Sequence, residues 1–397
     1  MKNMPFESII ITGTSCAGKS TIAKKLCDIV TNSGVGFEQV TAVTTREKRS
    51  DNSCYEYISD EDFDKMLSGK KLLVDSSYRS KKYGIKQSEY DGVLKKKKVP
   101  VLVITPAAAI ELLSKGKEKY MCIFLDAQDE TLVDRWVERS GAEPDNKAKK
   151  AFLKQQKSDR EYQDQAHYIL NNTDVSASVS LITLLWEHQN QGGALSQKLI
   201  SSMINCGMLL RDADPDMING ASYDLRLGDE YYYDGKIQKL SDENPFLTIE
   251  PYDYAIVSCR ETAWIPRDVI AKFGLTVGLF CQGIILSNGP QIDPGFRGTL
   301  FCLLFNTSNR AVHIKRGKHY ATIEFNKLIG YAEPYEGKYQ GKERIIEYIP
   351  ENALHGAINE LKKEVEHLKD ESRIMQNIYL GVVALMFAII SILLVLK

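Results

Sequence analysis

The nine residues GTSCAGKST, 13–21, constrain this chain more than any other stretch. They fit G-x-x-x-x-G-K-[ST] at every fixed position. They also sit where that pattern works, between an apolar run, SIIIT (8–12), and an amphipathic segment, STIAKKLCDIV (20–30). Two glycines let the backbone fold its N–H groups around phosphate oxygens, and the N-terminus of the following helix adds partial positive charge. The pattern predicts a parallel α/β sheet with a phosphate loop at the end of its first strand. It assigns Gly13, Thr14, Ser15, Cys16, Ala17, Gly18, Lys19, Ser20 and Thr21 to ATP binding. Lys19 is the catalytic ammonium for the β- and γ-phosphates, and Ser20 is the Mg²⁺ ligand.

The alternation of strand-like and helix-like segments continues through VPVLVIT (99–105), YMCIFLD (120–126) and ETLVDRWVERS (130–140). It breaks at the polar, glycine-containing QNQGGALSQ (189–197). From there short β runs dominate, among them ASYDLRL, EYYYDG, DYAIVSC, GLTVGLF, GTLFCLLFN and AVHIKRG, separated by Gly, Pro, Asn and Asp. Such a pattern predicts an all-β sandwich or barrel. The expected organisation is an α/β domain over 1–190, a β domain over 195–347, a coiled-coil stalk over 352–376 and a transmembrane helix over 377–396.

Charge argues against a nucleic-acid partner. Lys and Arg number 51 and Asp and Glu 52, so the strongly basic surface of such proteins is missing. The one loud basic run, LKKKK (94–98), has no interleaved aromatic and falls between a predicted helix and a strand, where a solvated turn is expected. The eight cysteines form no CxxC pair and have no histidine at ligand spacing, which argues against a zinc site or a disulfide framework. Scattered thiols of this kind suit a reducing compartment. The amino-terminal MKNMPFESIIITG reads as the start of the first strand, not as a signal peptide.

Downstream of the phosphate loop come TAVTTREKR (41–49), YEYISDEDFDKML (55–67) and LLVDSSYRSKKYGI (72–85). With these segments the chain resembles the guanylate kinases over roughly residues 6–185. The resemblance implies that Arg46, Arg49, Tyr55, Asp75 and Tyr83 bind the acceptor monophosphate. Guanidinium forks suit a phosphate dianion, and tyrosine hydroxyls donate without adding charge. It also implies that Arg135 and Arg139, in DRWVERS, and Lys150 are lid cations over the transferring phosphoryl group; a solvated i,i+4 helix face is the alternative for the two arginines. The base-reading positions depart from the family. Ala42 precedes TTR where a serine is usual, Ile85 follows YG, and LVITPAAA ends its strand at Thr105 rather than at an aspartate. The expected reaction is transfer to a nucleoside monophosphate that need not be GMP, with a binding-only domain as the alternative.

NGASYDLRLG (219–228) and QIDPGFRGTLFCLLFN (291–306) resemble the dCTP deaminase branch of the trimeric dUTPase-like proteins. ALSQKLISSMINCGMLL (194–210) and TIEPYDYAIVSCRETAWIP (248–266) agree with that order. The resemblance implies nucleotide contacts at Ser222, Asp224 and Asp293 and a homotrimer with sites between subunits. Where the family's proton-shuttling glutamate belongs, the chain has Leu303, which cannot carry a proton. Around 275–279 it reads LTVGL, without the arginine and serines that grip a triphosphate. Deamination is therefore not expected. Hydrolysis of dUTP is less firmly excluded.

The carboxyl-terminal part turns helical. Leu354, Ile358, Leu361, Val365, Leu368, Ser372 and Met375 follow 4-3-4-3 spacing, with Glu364 and Glu371 at g and Lys362 and Lys369 at e. This reads as a parallel coiled coil, the alternative being one amphipathic helix packed on the β domain. Ile378 to Leu396 carries no charge and as a helix would span about 28 Å, close to a bilayer's hydrocarbon core. Lys362, Lys363, Lys369 and Arg373 precede it, so the positive-inside rule predicts a single-pass tail anchor with the soluble domains in the cytoplasm.

Overall fold

The computed structural model describes residues 6–48, 54–141, 143–287, 289, 291–349 and 357–395. The chain runs through β1 (Ser8–Gly13), α1 (Lys19–Cys27) and β2 (Phe37–Gln39) into a lobe. That lobe holds β3 (Ala42–Thr44), β4 (Tyr55–Tyr57), α2 (Asp60–Ser68), β5 (Leu72–Tyr78) and β6 (Lys81–Lys86). It returns through α3 (Gln87–Lys95), β7 (Val99–Val103), α4 (Pro106–Gly116), β8 (Tyr120–Asp126), α5 (Asp129–Ser140), α6 (Asn146–Arg160), β9 (Tyr168–Asn171) and α7 (Val175–Glu187). The main sheet is wholly parallel in the order β2-β7-β1-β8-β9, and the lobe forms a second sheet, β4-β3-β6-β5. Helices cover both faces of the parallel sheet, so every residue of β1 and β7 is buried and these strands are apolar throughout. All five strands end toward the phosphate loop, where ligands of open α/β sheets gather.

The second part opens with β10 (Gly193–Ala194), α8 (Gln197–Asn205), β11 (Leu209–Arg211), β12 (Ile218–Asn219), β13 (Ser222–Tyr233) and β14 (Lys236–Lys239). Then follow β15 (Phe246–Ile249), β16 (Tyr254–Trp264), β17 (Val269–Leu275), α9 (Val277–Cys281), β18 (Ile284–Ser287), β19 (Arg297–Asn306), β20 (Val312–Lys315) and β21 (His319–Lys327). The large sheet runs β10-β21-β13-β16-β19-β18, with β15 and β20 paired separately. One expected strand is corrected here: within GLTVGLF only the start is β. Thr276 becomes an N-cap and Val277–Cys281 a short helix, its Val277 and Phe280 exposed at 76% and 70%. ASYDLRL and EYYYDG, read as two strands, are joined in β13 through a bulge between Leu227 and Tyr231 opposite β16. The LKKKK run ends α3 and turns, and Lys96 and Lys98 both hold Glu38, at 2.6 and 2.9 Å.

The edge strand β9 joins the two parts. The hydroxyl of Tyr168 donates to Asp268 Oδ2 at 2.6 Å and lies 2.8 Å from the hydroxyl of Tyr331. Lys327 Nζ donates to the same Asp268 oxygen at 2.6 Å. The Asn171 N–H donates to the Cys206 carbonyl at 2.8 Å. Beside them, His167 is buried against Phe6 and Tyr331. The carboxyl-terminal helix, α10 (Ala357–Val395), is continuous over 39 residues, about 58 Å. Over Glu364–Ile389 it is long and apolar enough to cross a membrane, and none of that span is buried. Leu354, of the expected a/d seam, lies outside the described residues.

Candidate functional site

The phosphate loop has its glycines where no side chain fits. Gly13 sits at φ +128°, and a Cβ there would come 2.0 Å from the Leu125 carbonyl. Gly18, the N-cap of α1, sits at φ +90°, with Asn172 Nδ2 2.5 Å from any added Cβ. Asn172 in turn donates to the Ala17 carbonyl at 2.8 Å and so ties the loop to the end of β9. Thr14 donates its hydroxyl to Asp126 Oδ1 at 2.9 Å, and the Ser15 N–H donates to Gln156 Oε1 at 2.7 Å. Thr14 and Ala17 are buried on the protein side of the loop, whereas Gly13, Ser15, Cys16, Gly18, Lys19, Ser20 and Thr21 line the cavity. Lys19 Nζ donates back to the carbonyls of Gly13 and Thr14 at 2.9 and 2.6 Å. Burial pushes its ammonium down to about 8, against the pull of Asp159.

A cavity of about 780 Å³ runs from this loop to the lobe. Arg46, Tyr55 and Tyr83 line its far wall, and Arg135 and Arg139 enter from α5. The Arg46 guanidinium lies 4.5 Å over the Tyr55 ring, whose centroid is 6.4 Å from that of Tyr83. Nε and Nη2 of Arg46 and the hydroxyl of Tyr57 are buried beside one another without a well-aligned hydrogen bond. Leaving such groups unsatisfied costs about 1–3 kcal/mol each, more for a charge, so they mark a place where an anion fits. Arg135 donates through Nη2 to the Asn172 carbonyl at 2.9 Å, and its Nη1 is buried with no partner.

Other expected contacts fall elsewhere. Strand parity on β5 turns Val74, Ser76 and Tyr78 to the cavity and Asp75 to the opposite face, where burial and Glu111 raise its pKa. Lys150 is exposed on α6 and does not line the cavity; from that helix Gln156 reaches the phosphate loop, and Asp159 accepts from Tyr78 at 3.1 Å. Arg49 lies outside the described residues. Residue typing alone missed Ser76, Tyr57, Asn172 and Gln156. Only for Tyr57 was there a signal, its period-two partnership with Tyr55 along a strand.

In the β part, Asp224 accepts from the Thr322 hydroxyl at 2.9 Å, Ser222 pairs in register with Asn219 and Glu324, and Asp293 caps the turn before β19 through its carbonyl and Phe296. The cavity just described includes none of the three. Leu303 is half-buried on β19, between Ile256 and Ser287.

Comparisons with known proteins divide at the same place as the fold. Residues 6–189 match the family model described as guanylate kinase, and residues 194–328 the one described as dCTP deaminase-like. A dCTP deaminase of Thermococcus kodakarensis is 37% identical over 139 residues, 35% of this chain and 88% of that protein. A "dCTP deaminase, dUMP-forming" of Aquifex aeolicus is 26% identical over 165 residues, 38% of this chain and 92% of that protein. Among solved structures, a guanylate kinase from Anaplasma phagocytophilum covers 47% of this chain and 87% of its own, at 17% identity and a TM-score of 0.37.

Proposed function

We propose, for a chain that belongs to the dCTP deaminase-like family through residues 194–328 and carries a guanylate kinase domain over residues 6–189, ATP-dependent phosphoryl transfer to a nucleoside monophosphate at a membrane surface. The observation that carries this reading is the cavity that faces the phosphate loop with Arg46, whose buried Nε and Nη2 make no well-aligned hydrogen bond. ATP with Mg²⁺ supplies the transferable phosphoryl group; Ser20, in the exposed first turn of α1, would ligate the metal. Lys19 would leave the loop carbonyls for the donor's phosphates. Arg46, Tyr55 and Tyr83 would hold the acceptor's phosphate so that one of its oxygens takes the γ-phosphoryl group, giving ADP and a nucleoside diphosphate. Arg135 and Arg139 would stabilise the charge as it redistributes. The experiment is ADP release from the detergent-solubilised full chain with a panel of ribo- and deoxynucleoside monophosphates, wild type against Lys19→Ala. Turnover that is lost by at least a hundredfold in the variant supports the reading, and no turnover with any acceptor refutes it.

The β domain we read as catalytically degenerate for deamination, because Leu303 holds no proton and Leu275–Leu279 offers no arginine for a triphosphate. Its role in this reading is to assemble a homotrimer. α10 would continue from a stalk into a tail anchor that leaves both soluble domains in the cytoplasm. A second reading, a nucleotide-sensing membrane effector that binds without turnover, is favoured by one observation. The Tyr168–Asp268–Lys327 cluster fastens the β domain to the same strand whose end, through Asn172, holds the phosphate loop. Unchanged cellular behaviour after deletion of the apolar tail would remove this second reading.

A further inference from the structure

The hairpin at the edge of the lobe carries a cation that no motif assigns. A two-residue turn, Arg79-Ser80, joins β5 to β6 between the paired Tyr78 and Lys81. Both turn residues sit at positive φ, +50° and +61°. Tight hairpins favour that conformation, but Asn-Gly is its usual sequence, because larger side chains are strained there. Strain of this kind collects at functional sites. Here the tip enters the cavity, which Tyr78, Arg79 and Lys81 all line.

One face of α6 holds that tip next to the phosphate loop. Phe152, Gln156 and Asp159 are spaced i, i+4, i+7 and are all buried. Gln156 accepts from the Ser15 N–H of the loop at 2.7 Å. Phe152 lies under the Arg79 guanidinium, its ring centroid 5.8 Å from Cζ, and Asp159 accepts from the Tyr78 hydroxyl at 3.1 Å. Loop and hairpin tip therefore meet along about 11 Å of one helix. Lys19 from the loop and Arg79 from the hairpin both favour the charged form of Asp159. Arg160, on the same helix, is tied to Asp126 and Asp129, each at 2.7 Å. Arg79 is exposed and makes no ion pair among the described residues, so no carboxylate claims its fork. With Lys150 outside the cavity, it adds a guanidinium to those of Arg46, Arg135 and Arg139.

We propose that Arg79 is a further catalytic residue, whose guanidinium binds the γ-phosphoryl group of the donor as it passes to the acceptor. This rests on the phosphoryl-transfer reading of the cavity. In that step the bond from the γ-phosphorus to the β,γ-bridging oxygen breaks and one to an oxygen of the acceptor's phosphate forms. Negative charge is then spread over the γ-phosphoryl oxygens, two of which a planar fork can hold. ADP lacks those oxygens, which gives a test that does not depend on turnover.

Binding of ATP and of ADP, each with Mg²⁺, is measured calorimetrically on the full chain in detergent, for wild type, Arg79→Ala, Ser80→Gly and Lys19→Ala. Arg79→Ala is expected to weaken ATP by about fivefold or more and to leave ADP within about twofold, since a charged hydrogen bond to phosphate is lost for ATP alone. Ser80→Gly relaxes the same turn but keeps the guanidinium, and should keep the wild-type ratio of ATP to ADP affinity. No change in Arg79→Ala, an equal loss for ADP, or the same loss in Ser80→Gly overturns the role of Arg79 and leaves phosphoryl transfer standing. A selective loss of ATP binding in a protein that turns over no monophosphate keeps the γ-phosphoryl contact and removes the kinase. ATP binding that is absent, or unchanged in Lys19→Ala, overturns both.

Discussion

His167 makes the joint between the two domains sensitive to acid. Its Nδ1 accepts from the Cys122 N–H at 3.0 Å, which requires an unprotonated nitrogen there. Burial pushes the imidazole down to about 3, with Arg267 and Lys117 adding repulsion. The folded value lies below the ordinary 6.5, so between those values the unfolded chain binds more protons. The contribution is complete above pH 6.5 and is lost as pH falls toward 3. From pH 7 to 5 the linkage relation gives a loss of about 2 kcal/mol, which for a domain of this size lowers Tm by about 4–8 °C. Other groups titrate over the same range, so the informative quantity is a difference between variants. His167→Asn keeps an acceptor near the place of Nδ1 but cannot be protonated. In thermal unfolding followed by tyrosine and tryptophan fluorescence, wild type should lose about 4–8 °C more than the variant between pH 7 and 5. Equal losses in the two proteins would refute the argument.

Two other substitutions separate strain from chemistry. Gly18→Ala places a Cβ 2.5 Å from Asn172 Nδ2 at φ +90°; it should destabilise the amino-terminal domain by about 1–3 kcal/mol in chemical denaturation, whereas the same change at Gly34, with nothing within 4 Å, should cost less despite its φ of +77°. Leu303→Glu should leave dCTP deamination undetectable by chromatography of the products, because the carboxyl group returns without a triphosphate grip on Val277–Cys281; appearance of dUTP would show that one substitution had inactivated the domain.

Local pattern was enough for much of this molecule. GTSCAGKST placed a turn of glycines between a buried strand and a helix, and the structure has both glycines at positive φ where a Cβ would collide. Runs such as YMCIFLD appear as the strands their apolar continuity predicts, since both faces of β8 are covered. The short helix at Val277–Cys281 was not legible, because five residues with Val and Phe read as strand until Thr276 supplies an N-cap. Asp75 shows the same limit within the cavity. The resemblance made it a contact of the acceptor monophosphate, but side chains alternate along a strand, and the register of β5 gives the inward position to Ser76.

From the order of its residues alone, this chain determines a phosphate loop, a parallel sheet, a β-rich partner and a long apolar helix, because each depends on contacts between near neighbours. Tertiary structure alone decided which side chains share a cavity. Arg46 was brought opposite the phosphate loop, Asp75 and Lys150 were turned away, Ser76 was placed beside Thr105, and one edge strand became the link between two domains. Those outcomes depend on strand register and on the packing of segments far apart in the chain, which no local spacing encodes.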